Sequence, residues 1–239
     1  MLIQKGADIN APGGRYSNAL QTASARGHRE IAELLIQKGA DAKAQGGPYG
    51  NALQAASERG HREIAELLIQ KGADINAQGG PYGNALHAAS LYGHREIAEL
   101  LIQKGADVNA QGGYYGNALQ AASERGHREI AELLIQKGAD INAQGGPYGN
   151  ALHAASLYGH REIAELLIQK GADVNAQGGY YGNALQAASF YGHRVIAELL
   201  IEKGADINAQ GADANAQGRY GNALHAASVG IMATLFRLL

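Results

Sequence analysis

The 239-residue sequence contains no cysteine. That excludes disulfides, thiolate metal sites and cysteine nucleophiles, and makes an intracellular setting the simplest reading. Neither sign of charge is in marked excess: 20 Lys and Arg against 22 Asp and Glu leave a net charge of -2. A phosphate backbone demands a basic footprint, so no nucleic-acid partner is expected. No stretch approaches the roughly 18 apolar residues that span a bilayer. The opening MLIQKGADINAPGG has neither the basic start nor the apolar core of a secretion signal. Together these absences predict a soluble, cytoplasmic protein with no membrane partner. Proline is scarce at 4 residues while glycine reaches 34, so the glycines must hold defined positions; an unpatterned glycine-rich chain would tend toward disorder.

The glycines do recur. The tyrosine of the phrase YGNAL, or of its variant YSNAL, falls at Tyr16, Tyr49, Tyr82, Tyr115, Tyr148 and Tyr181, a period of 33. A partial unit occupies 1–12, six full units run from 13 to 210, an inserted finger segment fills 211–217, and a partial unit closes 218–239. Residues 49–111 are identical to 115–177, so a two-unit block has been copied. A period of this length signals a solenoid whose units are each too small to bury their own apolar face.

Local signals within one unit agree with that reading. Asn51 is placed to cap a helix, with Gln54 three residues on to complete a capping box. That helix runs through ALQAASER and stops at Gly60, a residue suited to a left-handed turn. A second helix follows in HREIAELLIQK, with Ile64, Leu67 and Leu68 on one stripe. Gly72 ends it. The remaining ADINAQGGPYG reads as an extended finger with a tight turn at Gly47-Pro48-Tyr49-Gly50. Helices of about ten residues are marginal in isolation, so stacking must supply their stability.

The run GNALHAASLYGHREIAELLIQKGADVNA, with its Gly-His break, Leu-Leu pair and Gly-Ala-Asp-Val-Asn-Ala close, resembles the ankyrin repeat, and the match covers almost the whole chain in register. The resemblance implies an all-α ankyrin-repeat solenoid of stacked helix-turn-helix units with β-hairpin-like fingers, no catalysis, no cofactor and a protein partner. Asn-Ala stands where the family has Thr-Pro, and GGPYG replaces the usual finger. This GGxYGNALQAAS style resembles the arrays of fungal NACHT-type receptors.

Several residues invite a chemical reading. Ser90 with His87 or His94 could be a nucleophile and base, but the serine recurs at Ser24, Ser57, Ser123, Ser156, Ser189 and Ser228. Moreover, His87, His153 and His225 occupy the slot held elsewhere by Gln21, Gln54, Gln120 and Gln186, and glutamine cannot act as a general base. A column of histidines (His28, His61, His94, His127, His160, His193) would be spaced by helix packing at about 8 to 10 Å, too far to share a zinc ion. No catalytic or metal-ligating residue is therefore assigned. The glycine pairs lack the Lys and Ser or Thr of a P-loop and read as turns.

Positions that differ between units are the ones architecture leaves free. They are the end of the first helix, where Ala25-Arg26, Glu58-Arg59, Leu91-Tyr92, Glu124-Arg125, Leu157-Tyr158 and Phe190-Tyr191 alternate, and the finger position of Arg15, Pro48, Pro81, Tyr114, Pro147, Tyr180 and Arg219. The family contacts partners through these regions, which predicts a partner-binding ladder of Arg26, Arg59, Leu91, Tyr92, Tyr114, Arg125, Leu157, Tyr158, Tyr180, Phe190 and Tyr191. The amphipathic mix suits binding hot spots. Two alternatives stand beside it: Leu91 and Tyr92 cover the next unit, or the chain is a scaffold whose variable sites reflect drift. Neither end reads as a polar cap, which points to a fragment of a longer array or to self-association through Met232 and Phe236.

Overall fold

A computed structural model describes residues 8–13 and 17–209, and the chain divides into two compact units between Ala118 and Leu119. In the first unit α1 (Ala19–Arg26) and α2 (Arg29–Gln37) lead into a hairpin of β1 (Gln45–Gly46) and β2 (Gly50–Asn51). Then follow α3 (Ala52–Arg59), α4 (Arg62–Gln70), α5 (Ala85–Tyr92) and α6 (Arg95–Gln103). The second unit comprises α7 (Ala118–Arg125), which begins at the boundary, α8 (Arg128–Gln136), α9 (Ala151–Tyr158), α10 (Arg161–Gln169), α11 (Ala184–Tyr191) and α12 (Arg194–Glu202). The antiparallel hairpin pairs Gln45 with Asn51 and Gly46 with Gly50. Single bridges at Gly79–Gly83 and Gly145–Gly149 mark the same finger elsewhere. The fold is an all-α repeat solenoid of helix-turn-helix units with small finger hairpins.

Each first helix is cut by its caps. Asn51 sits in extended backbone and its Oδ1 accepts the Gln54 N–H at 2.8 Å, satisfying one of the helix's orphan donors. At the other end Gly60 is left-handed at φ 80°, where a side chain would be strained. It has a second constraint, because a Cβ there would meet the His94 ring at 2.7 Å. The predicted capping box needs correcting in α3. Gln54 does not turn back to its own cap; its Nε2 reaches forward to the following finger. The reciprocal box closes in α9, through His153 Nδ1 accepting the Asn150 N–H, and in α11, through Gln186 Oε1 accepting the Asn183 N–H.

Packing forms two layers. In the first unit α1 packs on α3 and α3 on α5, while α2, α4 and α6 form a second row; in the second unit α9 packs on α11, and α8, α10 and α12 are likewise in series. Ala52, Ala55 and Ala56 are buried, and their small side chains bring the first helices close together. The stripe of Ile64, Leu67 and Leu68 lies in the core as its spacing predicts. Truncating a fully buried leucine such as Leu68 to alanine would cost about 2 to 5 kcal/mol.

A third device joins the loops after the second helices. In the first unit Asn76 donates through Nδ2 to the Gly105 carbonyl at 3.3 Å and accepts through Oδ1 from the Asp107 N–H at 2.9 Å. Asn142 does the same for Gly171 and Asp173, and Asn175 for Gly204 and Asp206. The side-chain amide thus stands in for a peptide group spanning adjacent repeats. Lys43 occupies the corresponding place after α2 and cannot accept a hydrogen bond. Lys43→Asn should therefore supply bonds to Gly72 and Asp74 and raise stability by about 0.5 to 1.5 kcal/mol, read as an increased urea midpoint at unchanged m-value.

Candidate functional site

The slot three residues into each first helix is the most regular polar feature. Gln54 Nε2 donates toward the carbonyls of Ala77, Gly79 and Gly83 at 3.3, 3.1 and 2.7 Å. Gln120 repeats this toward Ala143, Gly145 and Gly149 at 3.5, 3.0 and 2.6 Å. Where histidine fills the slot, Nε2 lies 2.9 Å from the equivalent carbonyl, Ala110 for His87 and Ala176 for His153. A carbonyl only accepts, so Nε2 carries the proton. At His153 the other nitrogen accepts the Asn150 N–H, which fixes a neutral ring. Burial is the larger influence on both rings and holds them below the ordinary histidine pKa, with the carbonyl contacts acting in the opposite direction.

The Ser-His pairings come apart in space. Ser90 is sealed from solvent and its Oγ has no partner, His87 is committed to backbone carbonyls, and His94 Nε2 donates to the Glu58 carbonyl at 2.9 Å. His160 and His193 likewise reach back to Glu124 and Leu157. Each of these rings covers the helix-ending glycine of the preceding repeat. Among the described residues no group of three or more His, Asp or Glu could hold a metal ion, and no helix is long and apolar enough to cross a membrane.

The finger tyrosines and the first-helix ends meet side by side. Tyr82 and Tyr92 hydroxyls lie 2.7 Å apart with the rings edge to face at 5.5 Å. Tyr148 and Tyr158 repeat this at 2.9 Å, Tyr181 and Tyr191 at 3.0 Å. Where the helix ends in arginine instead, Arg59 Nη2 donates to the Tyr49 hydroxyl at 3.0 Å, and Nε faces the Glu58 carboxylate at 3.3 Å. Glu58 and Glu124 are themselves buried; desolvation pushes their carboxyls up, against the pull of Arg59 and Arg125 respectively. Burial, and then the Tyr82 hydrogen bond, raise Tyr92 well above the usual phenol range.

Repeats of this length, capped by Asn and Gly and joined through fingers, can be compared with known families. A family model of ankyrin repeats in three copies matches residues 1–79, 80–145 and 146–211. The chain belongs to the ankyrin repeat family. The crystal structure of the human ASB11 ankyrin repeat domain is similar at a TM-score of 0.73 and 23% identity, covering 88% of this chain and 97% of that one. At that identity the likeness establishes the fold. Comparison with curated protein sequences returns no match. Ankyrin repeats are in general protein–protein interaction modules, so the question becomes which side chains remain accessible.

Within the ankyrin repeats of the first unit Arg26, Arg59, Tyr92 and Tyr114 are exposed; in the second unit so are Arg125, Tyr158, Tyr180 and Tyr191, with Phe190 half-buried. Leu91 and Leu157 must be removed from the contact set. They are 2% and 4% exposed, because the penultimate position of the first helix turns into the core. Glu58 and Glu124 share that inward position. The expectation that folding leaves the finger tip unconstrained also needs amending: the Tyr114 N–H donates to the Pro81 carbonyl at 2.9 Å, and Tyr180 does so to Pro147. Proline could not donate at 114 or 180, although the tyrosine rings themselves stay outside. Arg15, the 211–217 finger, Arg219, His225, Ser228, Met232 and Phe236 lie outside the described residues.

Sequence reasoning missed the tyrosine pairs and the Arg59–Tyr49 contact. The recurring signal was a separation of ten residues between the finger tyrosine and the last residue of the first helix. The slot histidines carry a pH consequence. Their folded pKa lies below the unfolded value of about 6.5, so the unfolded chain takes up protons first. Their contribution is intact above about pH 6.5 and is lost as pH falls toward the folded value. His87→Gln/His153→Gln, which installs the residue found in sister slots, should lessen the loss of urea stability between pH 7.5 and 5.0; an unchanged loss would contradict this assignment.

Proposed function

We propose that this ankyrin array recognises a protein partner through the exposed first-helix ends and finger tips. The contact residues are Arg26, Arg59, Tyr92 and Tyr114 in the first unit and Arg125, Tyr158, Tyr180, Phe190 and Tyr191 in the second. One observation carries the reading: the repeated polar residues are consumed by links between repeats, while large aromatics remain outside at the positions that vary. Tyr92 is 41% exposed and Tyr180 69%. Paired hydroxyls hold Tyr92, Tyr158 and Tyr191 in place, which lowers the ordering cost of an encounter. The resemblance of the finger style to arrays of fungal NACHT-type receptors supports a cytoplasmic, sensor-like setting for this recognition.

The test is affinity capture from the source cell with the wild-type chain beside Tyr92→Ala/Tyr158→Ala/Tyr191→Ala and the matching triple phenylalanine variant. Truncating a tyrosine hot spot costs about 2 kcal/mol, roughly 30-fold in affinity, so the alanine variant should lose its captured proteins while keeping its helical circular dichroism. An unchanged capture set on a folded alanine variant would defeat the proposal. If the alanine variant unfolds, the phenylalanine variant decides: capture unaffected by loss of all three hydroxyls, in a protein that needs the rings to fold, would assign these tyrosines to packing.

A further inference from the structure

The first-helix ends of the first unit present a charge pattern that their repeat positions do not require. The penultimate position holds Ala25, Glu58 and Leu91, all buried, so alanine and leucine show that the site accepts apolar residues. A buried carboxylate there is costly unless it is paired. Glu58 is paired with its neighbour: it meets Arg59 Nε at 3.3 Å, and Tyr49 holds the same guanidinium through its hydroxyl at 3.0 Å and its ring face at 5.7 Å. Two sides of Arg59 are thereby fixed. Its side chain is nevertheless 51% exposed, and Nη1 has no partner among the described residues. Arg26, one repeat earlier, is exposed as well.

The charge shown to solvent by the last two positions of α1, α3 and α5 is therefore positive, from Arg26 and Arg59, with the one carboxylate turned inward. Equivalent positions on adjacent helices stand about 10 Å apart. We infer that this face of the first unit docks an acidic peptide segment of a protein partner, with one carboxylate on the preset Arg59 guanidinium and a second about 10 Å along at Arg26, flanked by the Tyr92 ring. A guanidinium whose fork is already oriented binds a carboxylate with less ordering cost than a free one. Glu58, one side chain from the bound anion, favours a singly charged carboxylate over a doubly charged phosphate. The inference rests on the recognition face proposed above and adds the chemistry of what it meets.

A polyproline helix with glutamate at every third residue sets carboxylates about 9.3 Å apart on one side. The probes are fluorescein-labelled (Glu-Pro-Pro)4, (Gln-Pro-Pro)4 and (Lys-Pro-Pro)4, titrated with the full chain by anisotropy at low and at moderate salt. The glutamate peptide should bind at least tenfold more tightly than the glutamine peptide, weaken with salt, and lose at least fivefold in Arg59→Gln, with Arg59→Lys intermediate because charge survives and the fork does not. Equal binding of glutamate and glutamine peptides, tighter binding of the lysine peptide, no measurable binding of the glutamate peptide, or indifference to Arg59→Gln would each overturn the inference. Neutral-peptide binding that vanishes in Tyr92→Ala would overturn the charge preference and leave the recognition face standing. Binding indifferent to both Arg59 and Tyr92 would remove both.

Discussion

The structure depends on one side chain per repeat, the glutamine or histidine three residues into each first helix, whose nitrogen donates to a carbonyl in the finger that follows. Gln21, Gln54, His87, Gln120, His153 and Gln186 all reach the carbonyl 23 residues ahead. The fingers are glycine-rich, and the helices are of eight or nine residues. Neither would hold alone, since nucleation of so short a helix returns too few hydrogen bonds. One buried donor aimed at the finger carbonyls couples the two and makes the repeat a cooperative unit with its neighbour. Histidine replaces glutamine because its Nε2–H reaches the same carbonyl, and the exchange introduces a titratable group into a buried link.

Two further links run between repeats. His61 and His94 in the first unit, and His160 and His193 in the second, open second helices and lie against the glycine ending the previous first helix; His94, His160 and His193 also donate to a carbonyl there. The asparagine after the second helix bridges to the next loop as a substitute peptide group. With these groups occupied in links between repeats, the exposed side chains at the helix ends and finger tips are the ones proposed for recognition. The buried Glu58 belongs to neither class cleanly. It sits where leucine fits in a sister repeat, so its carboxylate is best explained by the arginine it orients.

Much of this was legible in the sequence. The period, the Asn and Gly caps and the Ile64-Leu67-Leu68 stripe each rest on local chemistry with a fixed spacing, and the helices fall within a residue of where that chemistry puts them. What escaped depended on direction. Variation at 58, 91, 124 and 157 suggested exposure, yet these side chains point inward, and a slot that accepts both Glu and Leu gives no burial signal by composition. Gln54 had the spacing for a capping box, but several finger carbonyls outcompeted one cap N–H for its amide. The tyrosine pairs join residues ten apart through a turn, a distance at which no helical or strand period applies.

Hydrogen exchange on Gln54→Ala tests the central claim most directly. If the slot side chain couples repeats, removing it takes the Gln54 donor away from the Ala77, Gly79 and Gly83 carbonyls, at a cost of about 1 to 3 kcal/mol, about fivefold or more in exchange rate. Protection should then fall together at the Gly79 amide, which closes the next finger onto the Gly83 carbonyl, and at the Ala88 amide in the first turn of α5. Faster exchange confined to residues 51–59, with Gly79 and Ala88 protected as in the wild type, would contradict the account.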